Sequence, residues 1–289
     1  MNSKEARERM NSGRLYPPGD QEIRKEQTEC LELLYDYNRT RPGEREKRRE
    51  LLKKMFGFIG EGCYIEPPLH SNWGGRHVYM GKGTYANFGL TLVDDGEIRI
   101  GEDCMFGPNV TIATAGHPID PDLRRTGAQY NLSVVIGNNV WVGAGAVILP
   151  GVEIGDNTVI GAGSVVTKNI PSGVVAVGNP CRILRPVGER DKEYYYKERT
   201  VDTTVRELAQ GLEEEGEYSC LEEFLDGKDY AEKLRILRKR KTQFTAAQLA
   251  AICDMLEVGT REREMSAQYR AIEIYLETQL RYDGSRLRR

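Results

Sequence analysis

Long apolar runs are missing from this 289-residue chain. No segment approaches the ~18 consecutive apolar residues that a membrane span requires. The opening MNSKEARERMNSG has no apolar core of the kind that marks a secretory leader, so a cytoplasmic location is expected. Charge of one sign is also not in excess. The 41 Lys and Arg against 44 Asp and Glu leave a net charge of -3, which points to neither nucleic acid nor a membrane surface as partner. The basic run Arg238-Lys239-Arg240-Lys241 lies among acidic residues and reads as a solvated helix face. Histidine is scarce, with only His70, His77 and His117. A metal-dependent hydratase would need three histidines converging on one ion, and His70 and His77 fall outside the register of His117, so no metal is expected. The six cysteines (Cys30, Cys63, Cys104, Cys181, Cys220, Cys253) form no CxxC pair and read as reduced thiols. No Gly-rich phosphate loop or dinucleotide fingerprint is present.

Glycine, by contrast, is plentiful, with 31 residues, and much of it is periodic. From Ile136 a branched aliphatic recurs every sixth residue, through Val142, Ile148, Ile154, Ile160 and Val166. Four of these are followed by glycine (Gly137, Gly143, Gly155, Gly161). Four residues after each aliphatic stand Val140, Ala146, Val152, Thr158, Ser164 and Ile170, which are small or branched. Ile100-Gly101, Phe106-Gly107 and Ile112-Ala113 fit the same template, with weaker copies at Met80-Gly81 and Ile59-Gly60. Internal repeats of this kind define the architecture. Each hexad supplies one short strand and a turn, and three hexads close a triangular coil. The aliphatics point inward and stack on those of the next coil, because no single coil buries its own apolar face. Glycine is expected to ease the tight turns. The period alone does not set the hand of the coil.

Before the repeat, residues 1–58 read as helical: a short helix from Ser3 to Gly13, a second capped by Asp20 with Ile23, Leu31, Leu34 and Tyr35 as its apolar stripe, and a third over 44–56 ending in Leu51, Leu52, Met55 and Phe56. The repeat and its Pro- and Gly-rich tail occupy 59–189, residues 190–205 link, and 206–289 form a helical extension of unknown role. In that extension Thr245 with Gln248 reads as a capping box, Gly259 as a C-cap and 261–282 as a last helix. The hexads break between Ile112 and Ile136, where ATAGHPIDPDLRRTGAQYNLSVV leaves the coil. Loops on a rigid scaffold often carry function, and His117 lies in this one. Pro118 holds the preceding residue extended, and an imidazole is the natural base for a hydroxyl near neutral pH.

Residues 1–205 resemble the galactoside and maltose O-acetyltransferases. The resemblance rests on GRLYPPGD, EREKRRELLKKMF, EPPLHSNWGG, YANFGLTLVDD, GPNVTI, GHP, IGNNVWVGAGAVILPGVEIGDNTVIGAGSVVTKNIP and GNPCRILR. It implies a left-handed parallel β-helix, a homotrimer with active sites between subunits, acetyl-CoA as cosubstrate and a sugar or glycoside as acceptor. It also implies that His117 is the general base and that the backbone N–H of Ala144 stabilises the oxyanion. For the acceptor it implies Asn87 and Asp95, with Tyr85 a stacking neighbour. Asn72 and Trp73 compete for one further position, and Asp94 reads equally as a turn residue. For the cosubstrate it implies Trp141, Ala144, Ala162, Thr167 and Lys168 along the pantetheine arm, and Lys168, Arg182 and Arg185 at the phosphates. No cysteine nucleophile is needed, and Cys181 is expected to be oxidation-sensitive but not catalytic. Pro17 stands where relatives usually carry Asp, which opens the identity of the acceptor. The other readings are an antibiotic or amino acid acceptor on the same fold, and a scaffold whose extension binds a partner.

Overall fold

A computed structural model describes residues 3–17, 19–206 and 209. The extension expected over 206–289 therefore lies almost wholly outside the described residues, with its caps, its last helix, the basic run, Cys220 and Cys253. The chain divides after Glu189.

The repeat region is a three-sided, left-handed parallel β-helix. Its first face stacks Phe58–Ile59, Val78–Met80, Ile98–Ile100, Val134–Ile136 and Glu153–Ile154. The second stacks Tyr64–Ile65, Tyr85–Ala86, Met105–Phe106, Trp141–Val142, Val159–Ile160 and Val174–Val177, and Arg182–Pro186 closes it antiparallel. The third stacks His70–Ser71, Thr91–Val93, Thr111–Ala113, Val147–Ile148 and Val165–Val166. Every hexad aliphatic from Ile136 to Val166 is buried, and so is every small or branched residue four positions on. Each such burial stabilises by about 1.5–3 kcal/mol for a large aliphatic. Ile100 pairs with Ile136, and Ile136 with Ile154, so the excursion leaves the prism and returns in register without adding a coil.

The hexad glycines serve a different purpose from the one expected. Gly143 and Gly155 do not have positive φ. Instead, a Cβ at Gly143 would stand 2.5 Å from the amide nitrogen of Ala162, and one at Gly155 2.4 Å from that of Ser172. Close approach of the next coil excludes the side chain. The left-handed corner conformation falls two residues later, where Asn139 (φ 51) and Asn157 (φ 55) adopt it, as asparagine tolerates. The Asn139 side-chain amide donates to Asn157 Oδ1 at 2.9 Å, tying the two corners together.

Three N-terminal helices cap the prism: α1 (Ser3–Asn11), α2 (Gln21–Asn38) and α3 (Arg45–Met55). Asp20 caps α2 as expected, accepting from the N–H groups of Glu22 and Ile23. Ser3 is the first residue of α1, and its hydroxyl donates to Asp20 at 2.8 Å. The buried face of α2 is Cys30, Leu34 and Tyr37; Leu31 and Tyr35, expected in the stripe, are exposed. The reason is specific contact. The Tyr37 hydroxyl donates to the Ile65 carbonyl, and Asn38 brackets Leu69 by bonding both its N–H and its carbonyl at 2.8 Å. Leu51, Leu52, Met55 and Phe56 of the third helical segment are buried. By itself, the segment read as a linker carries an antiparallel pair, Tyr194–Tyr196 with Arg199–Thr200. Among the described residues, no helix is long and apolar enough to cross a membrane.

Candidate active site

The named residues gather on two corners of the prism. The corner between the third and first faces carries Asn72, Asp94, Asp95 and the root of the excursion, each following a third-face strand. Asp94 is wholly buried. It accepts from the Ser71 hydroxyl at 2.6 Å and from the N–H groups of Trp73 and Gly75 at 2.9 and 3.0 Å. Burial pushes its carboxyl above the usual range. Asp94 is thus the turn residue that shapes the loop, and Asp95 is the carboxylate left facing outward. Asn72 donates to Asp95 Oδ2 at 2.7 Å, whereas Trp73 is buried with Met10, Tyr16 and Cys30. His77 binds the Asp94 carbonyl through Nδ1 at 2.7 Å, a structural contact.

The excursion leaves as Ala115–Gly116, pairs antiparallel with Tyr130–Asn131, and bears at its tip a short helix, α4 (Pro121–Arg125), capped by Asp120. His117 is exposed, and its Nδ1 lies 2.9 Å from the Ala128 carbonyl. A carbonyl only accepts, so Nδ1 must donate, and in the neutral ring Nε2 is then the free acceptor.

A buried polar network holds the excursion to the N-terminal segment. Tyr16 and Gln129 exchange backbone hydrogen bonds at 3.0 Å in each direction. Asn131 Nδ2 donates to the Met10 carbonyl, the Tyr16 hydroxyl and the Asp95 carbonyl at 3.3, 3.1 and 3.1 Å. Gln129 Nε2 reaches the Tyr16 hydroxyl and Asp95 Oδ1. Burial pushes the Tyr16 phenol up to about 12, which keeps it a neutral partner. Beside this network is a cavity of about 280 Å³ whose lining includes the apolar Met10, Ile23 and Trp73, the polar Asn72, Asp95 and Gln129, and Pro17. Sequence reasoning missed Tyr16, Gln129 and Asn131, which follow no local motif and meet only through the fold.

The corner between the second and third faces carries Asn87, Ala144 and Ala162, with Tyr85 and Trp141 on the second face beside it. Tyr85 stacks on Tyr64 with centroids 6.5 Å apart, and Asn87 Oδ1 accepts from the Phe88 N–H at 2.8 Å. Trp141 is exposed. A Cβ at Gly107 would stand 2.6 Å from the Ala144 amide nitrogen, and no hydrogen bond of the described residues uses that N–H. The Ala144 N–H is thus an unused backbone donor among the described residues. Thr167 and Lys168 stand on the third-to-first corner instead, and Arg182 and Arg185 lie on the closing strand with exposed side chains. Cys181 is buried and its thiol is pushed up by burial. Burial of this kind counts against the oxidation sensitivity expected of it.

The triangular parallel β-helix is the fold of the hexapeptide-repeat acetyltransferases. Residues 9–60 match the maltose acetyltransferase hexapeptide capping motif, and 133–168 match six repeats of the bacterial transferase hexapeptide. A galactoside O-acetyltransferase of Lactococcus lactis is 53% identical over 198 residues, covering 68% of this chain and 96% of that protein. The galactoside O-acetyltransferase of Escherichia coli is 44% identical over 198 residues, covering 68% and 97%. The chain belongs to this family of galactoside O-acetyltransferases. A galactoside acetyltransferase solved in complex with coenzyme A superposes with a TM-score of 0.67 at 44% identity, covering 68% of this chain and 98% of the other.

Proposed function

We propose that this protein transfers an acetyl group from acetyl-CoA directly to a hydroxyl of a sugar or glycoside, with His117 as general base. Family membership supports the reaction class. The observation that carries the role of His117 is its single hydrogen bond: Nδ1 is committed to Ala128 and Nε2 is free. Nε2 takes the hydroxyl proton as the oxygen attacks the acetyl carbonyl, and returns it to the departing thiolate. The Ala144 N–H holds the negative charge that develops on the carbonyl oxygen. No covalent acyl-enzyme is formed.

The cavity beside Asn72 and Asp95 suits a pyranose, whose hydroxyls meet the polar lining residues and whose ring carbons meet Met10, Ile23 and Trp73. Tyr85 and Asn87 complete the acceptor side from the other corner. Pantetheine runs past Trp141, Ala144 and Ala162, and Thr167, Lys168, Arg182 and Arg185 meet the CoA phosphates as charge-assisted partners. These groups occupy two different corners of one prism. A homotrimer, in which one subunit's corner faces its neighbour's excursion, would join them into three shared sites. Light scattering on the full chain should therefore give three chains per particle, and a fully active monomer would overturn the shared site.

The test of the reaction is thiol release from acetyl-CoA across galactosides, glucosides, maltose and free sugars. Release should require sugar and should fall about 10²–10⁴-fold in His117→Ala. Release that is independent of sugar, or undiminished in the variant, would overturn the assignment.

A further inference from the structure

A second cavity, of about 600 Å³, lies beneath α3 and shares no lining residue with the first, although its Tyr64 stacks on Tyr85. It runs between the helix and the first coil and is lined by Arg45, Arg48, Arg49 and Lys53, with Glu61 as the one acid. The spacing is that of a single helix face, because residues three and four apart are neighbours on a helix surface. Leu52, on the same face, anchors the helix to the core.

The charges on this face are poorly neutralised. Arg48 is only 5% exposed. Its Nε and both terminal nitrogens donate to Thr40 Oγ1, the Tyr64 hydroxyl and, at 3.4 Å, the Thr40 carbonyl, all neutral, and its nearest carboxylate, on Glu66, stands 3.9 Å away. A guanidinium taken out of water with mostly neutral partners gains strongly from a nearby anion. Arg49 and Lys53 pair with Glu46 and Glu50 at 3.1 Å, but all four side chains are more than half exposed, and such pairs hold their partners weakly. Arg45 lies 5.9 Å from the centroid of the Tyr64 ring and makes no ion pair among the described residues.

We propose that this cleft is a second ligand site, for a small soluble molecule bearing a phosphate or diphosphate group, separate from the acetyl-transfer site. Guanidinium forks match phosphate oxygens in geometry and charge. The volume exceeds what a lone ion fills, which favours a phosphate ester or diphosphate over a simple anion. The site does not depend on the proposed transfer reaction, because none of its residues is placed in that machinery.

Calorimetric titration of the full chain with inorganic pyrophosphate, at about 0.15 M salt and with CoA saturating, tests this. Saturable binding should persist beside CoA, exceed that of sulfate at matched ionic strength, and weaken at least about tenfold in the triple variant Arg45→Gln, Arg49→Gln, Lys53→Gln. The three substituted side chains are exposed, and Arg48 is left in place to preserve the packing. Four outcomes would overturn the proposal: no saturable heat, equal binding of sulfate, binding unchanged in the triple variant, or binding abolished by CoA. The last would place pyrophosphate on Lys168, Arg182 and Arg185 instead.

Discussion

The stacked coils and the excursion are built on opposite principles. In the coils, one rule repeats: a branched aliphatic inward and, after the first- and second-face strands from Ile136 to Ile160, a glycine where the next coil approaches with a left-handed corner two residues later. Ile136, Val142, Ile148, Ile154, Ile160 and Val166 are interchangeable in role, and each is buried among equivalents. The excursion has no such redundancy. Its position depends on single polar contacts, chiefly those of Asn131 and Gln129 with Tyr16 and Asp95. The comparison teaches that the scaffold is fixed by repetition and the site by individual hydrogen bonds. Damage to the first should therefore register as stability, and damage to the second as activity.

The largest effect expected is on the catalytic side. His117→Ala should lower kcat/KM by about 10²–10⁴-fold with no shift in melting temperature, because the exposed imidazole contributes one surface hydrogen bond. A fall in melting temperature to match would blur the distinction between site and scaffold. On the other side, Ile148→Ala should cost about 2–5 kcal/mol in denaturant unfolding, since Ile148 is wholly buried between Ile112 and Val166. Residual activity per folded molecule should be unchanged.

Asn131→Ala sits between the two. It removes the bonds to Met10, Tyr16 and the Asp95 carbonyl, and should cost about 1–3 kcal/mol for buried partners left unmet. If the network positions the site, kcat/KM should fall in the molecules that remain folded, with Asn131→Ser recovering part of it. Loss of stability alone would make the network plain scaffold. Arg125→Ala should do nothing measurable to either readout, because its pair with Asp122 is about four-fifths exposed on both sides and such pairs contribute little.

The legible part of the molecule follows the same division. The period-six pattern placed every inward residue from Ile136 to Val166 correctly, and Asp20 announced its helix by type and position. On α2 the expected Leu34 is buried, but Leu31 and Tyr35 are as apolar as the residues that are buried, and only the tertiary contacts of Tyr37 with Ile65 and of Cys30 with Met10, Tyr16 and Trp73 set the face. The hexad glycines are legible as a pattern but not in purpose, because a clash with a neighbouring coil cannot be felt within one hexad.

At the site, His117 stood out through its neighbours Gly116 and Pro118 and its place in the broken repeat. Asp94 and Asp95 are chemically identical in the chain, and their roles separated only when folding turned one inward onto Ser71, Trp73 and Gly75. Tyr16 and Asn131 are 115 positions apart, and no local pattern joins them. The sequence by itself determined the β-helix and the break that carries His117, because hexad burial is a property of residue type and spacing, and its motifs gave the reaction class through resemblance to the O-acetyltransferases. Only the tertiary structure decided which carboxylate faces outward, which ring nitrogen is free and what lines the cavity beside Asn72 and Asp95, because those depend on contacts between segments that meet only after the coils have stacked.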